Sequence, residues 1–298
     1  MKKIVITGGS GFIGTRFYQM YKHDFDIKAL GSKDLDVTDK DAVDAYMDQE
    51  KPDYVFHFAG IPNQQFCMEH PDKAYAVNVS GALYMAEACQ RVGAKMVFAS
   101  TEQLFNGSKE PGPYTEESTP VPDTVYGQNK WEVEQKLPDI LDEYWIVRFT
   151  WMFGLPEKDC AGGSNILMDT LKAVLHNQVV KASEYEFRGM TDVDELCKNL
   201  VKLLDLPYDT YNMGSTNNNG RYEIVRFIME EIGIPKERIQ ELLIADNSKF
   251  NENHYRELRL DNTKAKNAGM VFTDTKEAIH NCLKRFSMIG SDTVNGGK

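Results

Sequence analysis

The sequence predicts an α/β fold in which a doubly wound parallel sheet is joined by a smaller, partly interleaved C-terminal lobe. Three observations predict it. Short apolar runs alternate with helical patterns through the first half of the chain. A glycine-rich turn at residues 8–14 separates the first apolar run from the first helix. After about Gly154 this alternation stops, and loop-like stretches become common. Strands that alternate with helices in this way form a parallel sheet covered on both faces.

Five short apolar runs are predicted as strands, because near-continuous apolar character suits burial on both faces of a parallel sheet. They are residues 3–7, 26–30, 54–58, 95–100 and 145–149. A further strand end is expected near residues 211–214.

Helices are predicted between these strands. Residues 11–22 follow the glycine turn, and residues 39–49 begin at Asp39, a good N-capping residue. Residues 71–92 carry Pro71 in the first turn and are followed by Gly93, whereas residues 125–137 end before Pro138. Later helices are predicted at residues 165–175, 192–204, 222–232 and 275–286.

This pattern predicts a division of the chain. Residues 1–155 form the first domain, with contributions from about 178–214. Residues 156–177 and 215–286 form the second lobe. Residues 287–298 are small and polar and are expected to be a flexible tail.

The composition argues against several classes of protein. The chain has 298 residues, with 34 Lys and Arg against 45 Asp and Glu, and this net charge of −11 disfavours nucleic-acid binding. No apolar run reaches the ~18 residues of a membrane helix. The N-terminus enters a strand without a signal-peptide pattern, and the five cysteines lack metal or redox spacing. We expect a cytoplasmic protein with reduced thiols.

The turn at residues 8–14 has the spacing of a phosphate-binding loop. Gly8 allows a tight turn, Gly11 lets the backbone approach a pyrophosphate, and Gly14 lets the helix pack on the sheet. A glycine turn alone is a weak signal, but this one follows a strand and opens a βαβ unit. We therefore predict a Rossmann-type NAD(P) site. The predicted contacts from the turn are Gly8, Ser10, Gly11, Phe12, Ile13 and Gly14.

The end of the second strand indicates which dinucleotide is bound. An NAD-type loop is usually followed by an acidic residue that binds the ribose, but residues 30–33 carry no carboxylate. Ser32 and Lys33 are available to a 2′-phosphate, so NADP(H) is preferred and NAD(H) stays possible. Asp36 and Val37 are predicted at the adenine. The remaining predicted cofactor contacts are Ala59, Gly60, Asn78, Lys130 and Phe149.

A second motif supplies acid–base groups. Tyr126 and Lys130, spaced i and i+4, share a helix face, and Thr101 ends a strand at the sheet edge where ligands bind. A lysine charge lowers the pKa of a nearby phenol, which can then protonate a carbonyl oxygen as hydride arrives. Thr101 can hydrogen-bond the same oxygen. These three residues are the predicted catalytic set of a nicotinamide-dependent enzyme.

Three other features have structural interpretations. Tyr18 and Lys22 repeat the Tyr-x-x-x-Lys pattern, but no Ser-Thr strand end precedes them, which indicates an ordinary amphipathic helix. Asn78 is equally compatible with backbone bonding and with support of Lys130 through water. His57 ends an apolar strand and is interpreted as a core residue.

These motifs resemble those of the extended short-chain dehydrogenase/reductases and, among them, the dTDP-4-dehydrorhamnose reductases. The resemblance runs from residue 1 to about 286. The stretches that carry it are residues 7–14, 74–78, 100–107, 113–116, 126–130, 147–154 and 258–264. The Phe105-Asn106-Gly107 sequence and the run from Arg148 through Trp151 to Gly154 favour this subfamily over the sugar epimerases.

The resemblance implies a reductase that passes hydride from NADP(H) to C4 of a nucleotide-linked 4-keto-6-deoxysugar, with Tyr126 as the proton donor. It places Trp151 at the sugar. Arg256 and Arg259 are either contacts to the substrate diphosphate or exposed surface residues. The predicted substrate contacts are Thr101, Glu102, Gln103, Tyr126, Trp151 and Arg256.

The chain departs from the family pattern beside the sugar. The family usually has Asp-Tyr where this chain has Glu102-Gln103, and Val-Asp-Lys at residues 64–66, so the identity of the sugar stays open. Related dehydratases need a second carboxylate where this chain has Gln103, so dehydration is disfavoured. Thr15 replaces a glutamate that some members use in a metal-bridged dimer, and no metal is predicted.

Two alternatives stay open. One is an NAD-dependent nucleotide-sugar epimerase, because the same Tyr126 and Lys130 pair serves that reaction. The other is a cofactor-binding regulatory subunit without turnover, which the intact catalytic set disfavours. The expected partner is a nucleotide sugar, without nucleic acid or membrane. Helices 71–92 and 125–137 could form a homodimer interface, and a monomer is equally allowed.

Overall fold

Six parallel strands form the central sheet. The computed structural model of the chain describes residues 1–290. The strands lie side by side in the order Asp26–Leu30, Lys3–Thr7, Tyr54–His57, Lys95–Thr101, Tyr144–Phe149 and Thr210–Met213. Every neighbouring pair is parallel. The predicted α/β fold with a doubly wound parallel sheet is confirmed.

The elements are numbered here in chain order. The strands are β1 (Lys3–Thr7), β2 (Asp26–Leu30), β3 (Tyr54–His57), β4 (Lys95–Thr101), β5 (Tyr144–Phe149), β6 (Trp151–Phe153), β7 (Val180–Ala182), β8 (Glu186–Arg188), β9 (Met190–Asp192), β10 (Thr210–Met213), β11 (Leu243–Ala245) and β12 (Arg256–Leu258). The α-helices are α1 (Phe12–Tyr21), α2 (Lys40–Glu50), α3 (Gln64–Glu69), α4 (Pro71–Tyr75), α5 (Gly81–Val92), α6 (Val125–Lys136), α7 (Ile166–Leu175), α8 (Val193–Leu203), α9 (Arg221–Glu231), α10 (Lys236–Leu242), α11 (Thr263–Asn267) and α12 (Thr275–Arg285).

Helix ends follow the capping residues in the sequence. The Asp39 carboxylate accepts the Ala42 N–H at 3.0 Å, and the Thr124 hydroxyl oxygen accepts the Gly127 N–H at 3.1 Å. These bonds satisfy N–H groups that have no partner inside the first helical turn. Gly93, at φ 73°, ends α5 in the left-handed conformation. The cap at Thr124 fixes Tyr126 in the first turn of α6.

The predicted helix at residues 71–92 is present but interrupted. α4 and α5 are joined by a turn of π-helix at Ala76–Ser80, which contains Asn78. A π turn adds one residue to the helical repeat and often lies at functional sites. The sequence did not indicate α3, α10, α11 or the three-residue strands of the second half, because segments this short carry too little periodicity to identify.

The order of the strands creates a ligand site. From β1, which lies next to the edge strand, the chain passes to β2 on one side and then to β3 on the other. The helices that follow β1 and β3 therefore diverge, and they leave a crevice beyond the carboxyl ends of these strands. The glycine turn at residues 8–14 follows β1 directly and lies at this crevice.

The core on the two faces of the sheet follows the strand period of two. Ile4 and Ile6 pack with α1 and α8, on one face, through Phe17 and Leu196. Val5 packs on the other face, against residues of α2, α5 and α6. Both faces of β1 are therefore buried, as expected for a strand inside a parallel sheet.

The second half builds another apolar cluster. α7, α9, α10 and α12 supply most of it, including Leu167, Ile228 and Ile279. β7 and β8 pair with β11 and β12 rather than with the central sheet, whereas β10 joins that sheet. Within the predicted contribution of residues 178–214 to the first domain, α8 and β10 are therefore the elements that pack with the central sheet.

The chain end continues to pack beyond α12. The Met288 N–H donates to the Leu283 carbonyl at 3.0 Å, and Ile289 contacts the second cluster. The rest of the predicted tail, residues 291–298, lies outside the described residues. Within residues 1–290, no helix is both long enough and apolar enough to cross a membrane.

Candidate active site

A cleft of about 680 Å³ opens at the carboxyl edge of the central sheet. It brings both sequence motifs together. The predicted residues in its lining are Gly8, Gly11, Phe12, Ile13, Gly14, Gly60, Thr101, Glu102, Gln103, Tyr126, Lys130, Phe149, Trp151 and Arg256. The predicted residues outside its lining are Ser10, Ser32, Lys33, Asp36, Val37, Ala59 and Asn78.

The glycine turn packs tightly against neighbouring backbone, which only residues without a Cβ allow. Gly8 has φ +68°, and a Cβ there would lie 2.6 Å from the Phe58 carbonyl carbon. A Cβ at Gly14 would lie 2.7 Å from the Gly8 oxygen. The Gly11 N–H donates to the same oxygen at 2.9 Å, and α1 begins at the next residue. The first N–H groups of α1 are free for a pyrophosphate, so this turn fits NAD(P).

The end of β2 differs from its sequence interpretation. The Gly31 N–H donates to the Asp34 carboxylate at 2.8 Å, and a Cβ at Gly31 would lie 3.0 Å from the Ser10 hydroxyl. A carboxylate therefore does lie close to the end of β2, beside the glycine turn, four residues after Leu30 and one residue beyond the stretch 30–33 that lacks a carboxylate. Ser32 and Lys33 are exposed on the same turn. The charges at this turn are thus mixed.

Two predicted adenine contacts have other partners. The Asp36 carboxylate accepts the Thr38 N–H and hydroxyl at 2.9 and 2.7 Å, which lowers the pKa of Asp36. Val37 is buried, and a Cβ at Gly81 would lie 2.8 Å from its Cγ2. Both residues hold the turn between β2 and α2 against α5. Contact with the adenine stays a prediction.

Lys130 is held inside the cleft by the central sheet. Its side chain is buried, and Nζ donates to the Ala99 carbonyl of β4 at 2.8 Å. Nζ also lies 4.6 Å from the centroid of the Phe98 ring and 5.9 Å from that of Tyr126. Burial lowers the pKa of Lys130 to about 8, and the Glu134 carboxylate opposes this change. The ammonium is therefore mostly protonated at neutral pH.

Tyr126 stays protonated more firmly than the sequence suggested. Burial raises the pKa of its phenol above the ordinary value, and the charge of Cys67 adds to this effect. A hydrogen bond with Thr101 opposes the rise. The expectation that Lys130 lowers this pKa is wrong for this structure, because burial dominates. The phenol is consequently protonated at neutral pH.

The buried side chain of Asn78 supports this arrangement. Asn78 Oδ1 accepts the Ile61 N–H at 2.7 Å, and its Nδ2 donates to the Ile61 carbonyl at 3.2 Å. Both Asn78 and Lys130 flank Gly60, where a Cβ would lie 3.3 and 3.6 Å from Oδ1 and Nζ. Asn78 therefore fixes the loop after β3 through its backbone, which is one of the two roles the sequence allowed.

His57 is a core residue, as predicted. It is fully buried, and its Nδ1 lies 2.9 Å from the Thr7 hydroxyl. Burial and the nearby Lys130 charge lower the pKa of His57 to about 3. The imidazole is therefore neutral at physiological pH, and its protonation does not change in that range.

Another part of the cleft contains a cluster of ionic groups around Trp151. The Arg188 guanidinium forms an ion pair with Glu102, which is buried directly after Thr101, and it lies 4.8 Å from the Trp151 ring centroid. Arg221 lies 5.6 Å from the same ring. Burial, together with the charges of Arg256 and Arg221, lowers the pKa of Arg188 well below its usual value. An anion at this cluster would offset that repulsion.

Only one of the two arginines considered as contacts to the substrate diphosphate lines the cleft. Arg256 lines the cleft, whereas Arg259 is bound to Glu257 through Nε at 2.8 Å and does not line it. Sequence reasoning missed Arg188, since a single arginine in a short strand carries no pattern. It also treated Gln64 only as a departure from the family, although Gln64 lines the cleft opposite Gln103.

Thr15 ties the glycine turn to the loop that closes one side of the cleft. Its hydroxyl donates to the Gly11 carbonyl at 2.8 Å and accepts the Ala161 N–H at 2.8 Å. Within residues 1–290, no group of three or more His, Cys, Asp or Glu side chains is placed to hold a metal ion. The absence of a metal stays a prediction.

Comparison with known proteins adds the family. The family model of the RmlD substrate binding domain matches residues 1–288. The chain is 29% identical over 235 residues to the spore coat polysaccharide biosynthesis protein SpsK of Bacillus subtilis, covering 78% of this chain and 81% of that protein. It is 28% identical over 246 residues to a dTDP-4-dehydrorhamnose reductase of Mycobacterium tuberculosis, covering 80% and 78%.

A solved structure agrees with the fold. The dTDP-4-dehydrorhamnose reductase of Bacillus anthracis, crystallised in complex with NADP, superposes with a TM-score of 0.83. It is 22% identical in sequence, and the match covers 96% of this chain and 99% of that one.

Proposed function

We propose that this chain, which belongs to the family of the RmlD substrate binding domain, reduces the ketone of a nucleotide-linked 4-keto-6-deoxysugar with NADP(H). At the level of the family it is an NAD(P)-dependent oxidoreductase related to the dTDP-4-dehydrorhamnose reductases. The observation that carries the proposal is one cleft that holds the glycine turn together with Thr101, Tyr126 and Lys130.

The chain's own residues supply the proton. Nicotinamide bound beside the glycine turn would supply hydride to the carbonyl carbon. The Tyr126 phenol is protonated at neutral pH and gives its proton to the carbonyl oxygen. The Thr101 hydroxyl lines the same cleft as the phenol and would bind the same oxygen. The Lys130 ammonium, fixed on the Ala99 carbonyl, stabilises the negative charge left on Tyr126.

The ionic cluster supports an anionic substrate. Arg188 Nε and Arg221 Nε are buried and have no hydrogen-bond partner among the described residues. Three guanidiniums, including that of Arg256, face two carboxylates, Glu102 and Glu186. In a chain of net charge −11, this local excess of positive charge suits the diphosphate of a nucleotide sugar. We propose Arg188, which lines the cleft, as the group that meets it, with the charge of Arg221 beside it over the Trp151 ring.

We also propose the division of the chain that the sequence indicated. Residues 1–155 with α8 and β10 are the NAD(P)-binding domain, because they share the apolar core on the two faces of the central sheet. Residues 156–177 and 215–286 form the substrate lobe around the second apolar cluster.

The test is the loss of NADPH absorbance when the purified protein is mixed with dTDP-4-keto-6-deoxysugars, with NADH in parallel. Oxidation of NADPH in the presence of the sugar, and none in its absence, would support the reductase. Cofactor that copurifies with the protein and is not consumed would instead support the epimerase alternative. NADPH binding without any turnover of a keto-sugar would support the regulatory alternative.

A further inference from the structure

We propose that Gln64 and Gln103 select the sugar, and that they accept a neutral substituent which both donates and accepts a hydrogen bond. A hydroxyl and an N-acylamino group share that chemistry, whereas a carboxylate and an ammonium do not. Arg256 is the positioning residue of this pair. The inference rests on the proposed function, because it concerns the substrate of the same cleft.

The two glutamines are in direct contact. Gln64 Nε2 donates to Gln103 Oε1 at 2.7 Å, although the residues lie 39 positions apart in the sequence. Arg256 Nη2 donates to the same oxygen at 3.1 Å from a strand 153 positions away. All three side chains line the cleft beside Thr101 and Tyr126. Two of the positions at which the sequence departs from the family pattern, Gln64 and Gln103, therefore meet at one point.

Arg256 fixes which way both amides face. A guanidinium has only donors, so the Gln103 atom that it contacts must be the oxygen. That oxygen can bind only a donor of Gln64, so the Gln64 atom facing it must be the nitrogen. The usual ambiguity between the amide oxygen and nitrogen is thereby removed for both residues.

Arg256 itself is held from two other sides. Its Nε donates to Asn106 Oδ1 at 3.0 Å, and its Nη1 donates to Glu186 Oε1 at 3.1 Å. Gln103 is also fixed through its backbone, because its N–H donates to the Thr101 hydroxyl oxygen at 3.2 Å. The orientation of the amide pair is thus imposed by the protein before a substrate arrives.

The remaining amide atoms define the ligand. Gln103 Nε2 is a donor and Gln64 Oε1 is an acceptor, and neither has a hydrogen-bond partner within residues 1–290. A substituent that accepts from the first and donates to the second satisfies both. A carboxylate has no donor for the Gln64 oxygen, and an ammonium has no acceptor for the Gln103 nitrogen. Each of these groups therefore loses one hydrogen bond, and the pair of neutral amides does not compensate its charge.

The selected substituent lies close to the reacting carbonyl. Gln103 follows Thr101 by two residues in a tight 3₁₀ turn, so the amide and the catalytic hydroxyl face the same part of the cleft. The pair therefore contacts a substituent of the sugar ring that is reduced, rather than the base of the nucleotide.

The experiment compares Gln103→Glu and Gln64→Glu with Gln65→Glu. Gln65 lies on the same helix as Gln64, and its exposed amide contacts Glu69, so its variant adds the same charge away from the cleft. Dissociation constants are measured for dTDP-rhamnose and for a dTDP-linked N-acetylamino-6-deoxysugar in the presence of NADP⁺, so that the nucleotide is the same in both. NADPH oxidation is measured in parallel with 4-keto-sugars of both types. Circular dichroism and the dissociation constant for NADP⁺ verify that each variant is folded.

We expect both cleft variants to bind the preferred sugar about tenfold or more weakly, with the Gln65→Glu variant unchanged. KM should rise, whereas kcat should change about threefold or less, because the catalytic set is intact. Gln64→Glu should in addition bind a sugar analogue with an amino group in place of the selected substituent more tightly than the natural chain does. The natural chain's preference between the two nucleotide sugars identifies a hydroxyl or an N-acylamino group.

The two proposals fail separately. If the natural chain oxidises NADPH with a keto-sugar and the cleft variants bind sugars as the Gln65→Glu variant does, the amide pair does not select the sugar. If no keto-sugar is reduced but the cleft variants still weaken sugar binding, the reductase is wrong and the selection by Gln64 and Gln103 stands. Absence of sugar binding by the natural chain overturns both.

Discussion

The two ends of the cleft are built in different ways. The cofactor end comes from one continuous stretch, residues 8–14, in which glycines let the turn pack against neighbouring backbone. The proposed sugar end comes from four separate elements: helix α3, the 3₁₀ turn after β4, strand β8 and strand β12. Their side chains meet only in the folded chain. Tyr126 and Lys130 lie between them.

This difference indicates how each end can change. At the cofactor end nearly any added atom collides with backbone, so substitution is excluded by steric contact. At the sugar end a substitution alters charge or hydrogen bonding while the fold persists, provided that buried partners stay matched. Evolution of a new substrate is therefore easier at the second end, in agreement with the departures from the family at residues 64–66 and 102–103. The following changes test that comparison.

Tyr126→Phe should have the largest effect, because it removes the phenol that is the proposed proton donor. We expect kcat to fall about 10²–10⁴-fold, the range for loss of a general acid, with dissociation constants for NADP⁺ and the sugar nearly unchanged. Stopped-flow measurement of NADPH oxidation and equilibrium binding test this. Tyr18→Phe, on α1, repeats the substitution in the other Tyr-x-x-x-Lys pattern and should not change the rate. Unaltered turnover in Tyr126→Phe would rule out the mechanism.

Gly8→Ala should disable the cofactor end. The new Cβ would lie 2.6 Å from the Phe58 carbonyl carbon, at a φ of +68° that alanine disfavours. Gly93→Ala is the matched control, since Gly93 has φ +73° and open space around its Cβ position. We expect Gly93→Ala to cost about 1 kcal/mol of unfolding free energy, and Gly8→Ala to cost more and to weaken NADP⁺ binding at least ~10-fold. Equal losses of stability and binding in the two variants would show that close approach plays no part.

The rate should depend on pH through Lys130. In the proposed mechanism its charged form is the active one, and burial lowers its pKa in the ligand-free protein to about 8, so kcat/KM should fall as the pH rises through 8 and be constant at lower pH down to about 6. Tyr126, whose pKa is raised, and His57, whose pKa is about 3, do not titrate in that window. In Lys130→Arg the charge persists, so the residual activity should lose this alkaline limb. An alkaline limb that persists in the arginine variant would assign it to another group.

Asp34→Asn should produce the smallest effect. The amide oxygen can still accept the Gly31 N–H, so the turn is kept while one exposed negative charge is removed. We expect NADP⁺ to bind about two- to fivefold more tightly and NAD⁺ to bind equally or more weakly, because a screened surface charge contributes about 0.5–1 kcal/mol. Asp24→Asn, on the exposed turn before β2, is the control for net charge. A shift in the same direction and of the same size in both variants would exclude a specific role for Asp34.

Much of the fold and half of the site follow from local sequence. β1 and β2 begin and end where the apolar runs predicted, and α6 begins at its predicted residue with Thr124 as its cap. The phosphate loop and the pair Tyr126 and Lys130 are recognisable because their function depends on short spacings along one strand–turn–helix or one helix face. Residues with such spacings stay close together in the folded chain.

The tertiary structure decided the rest. Arg188 meets Glu102 across 86 positions, and Gln64 meets Gln103 across 39, so no local pattern could pair them. The protonation of Tyr126 was also decided there, because burial outweighs the lysine that the sequence places one turn away. The sequence by itself determined where the backbone turns and which residues share a strand or helix. Packing alone set the distances between segments and the depth of burial, and these fix both charge and specificity.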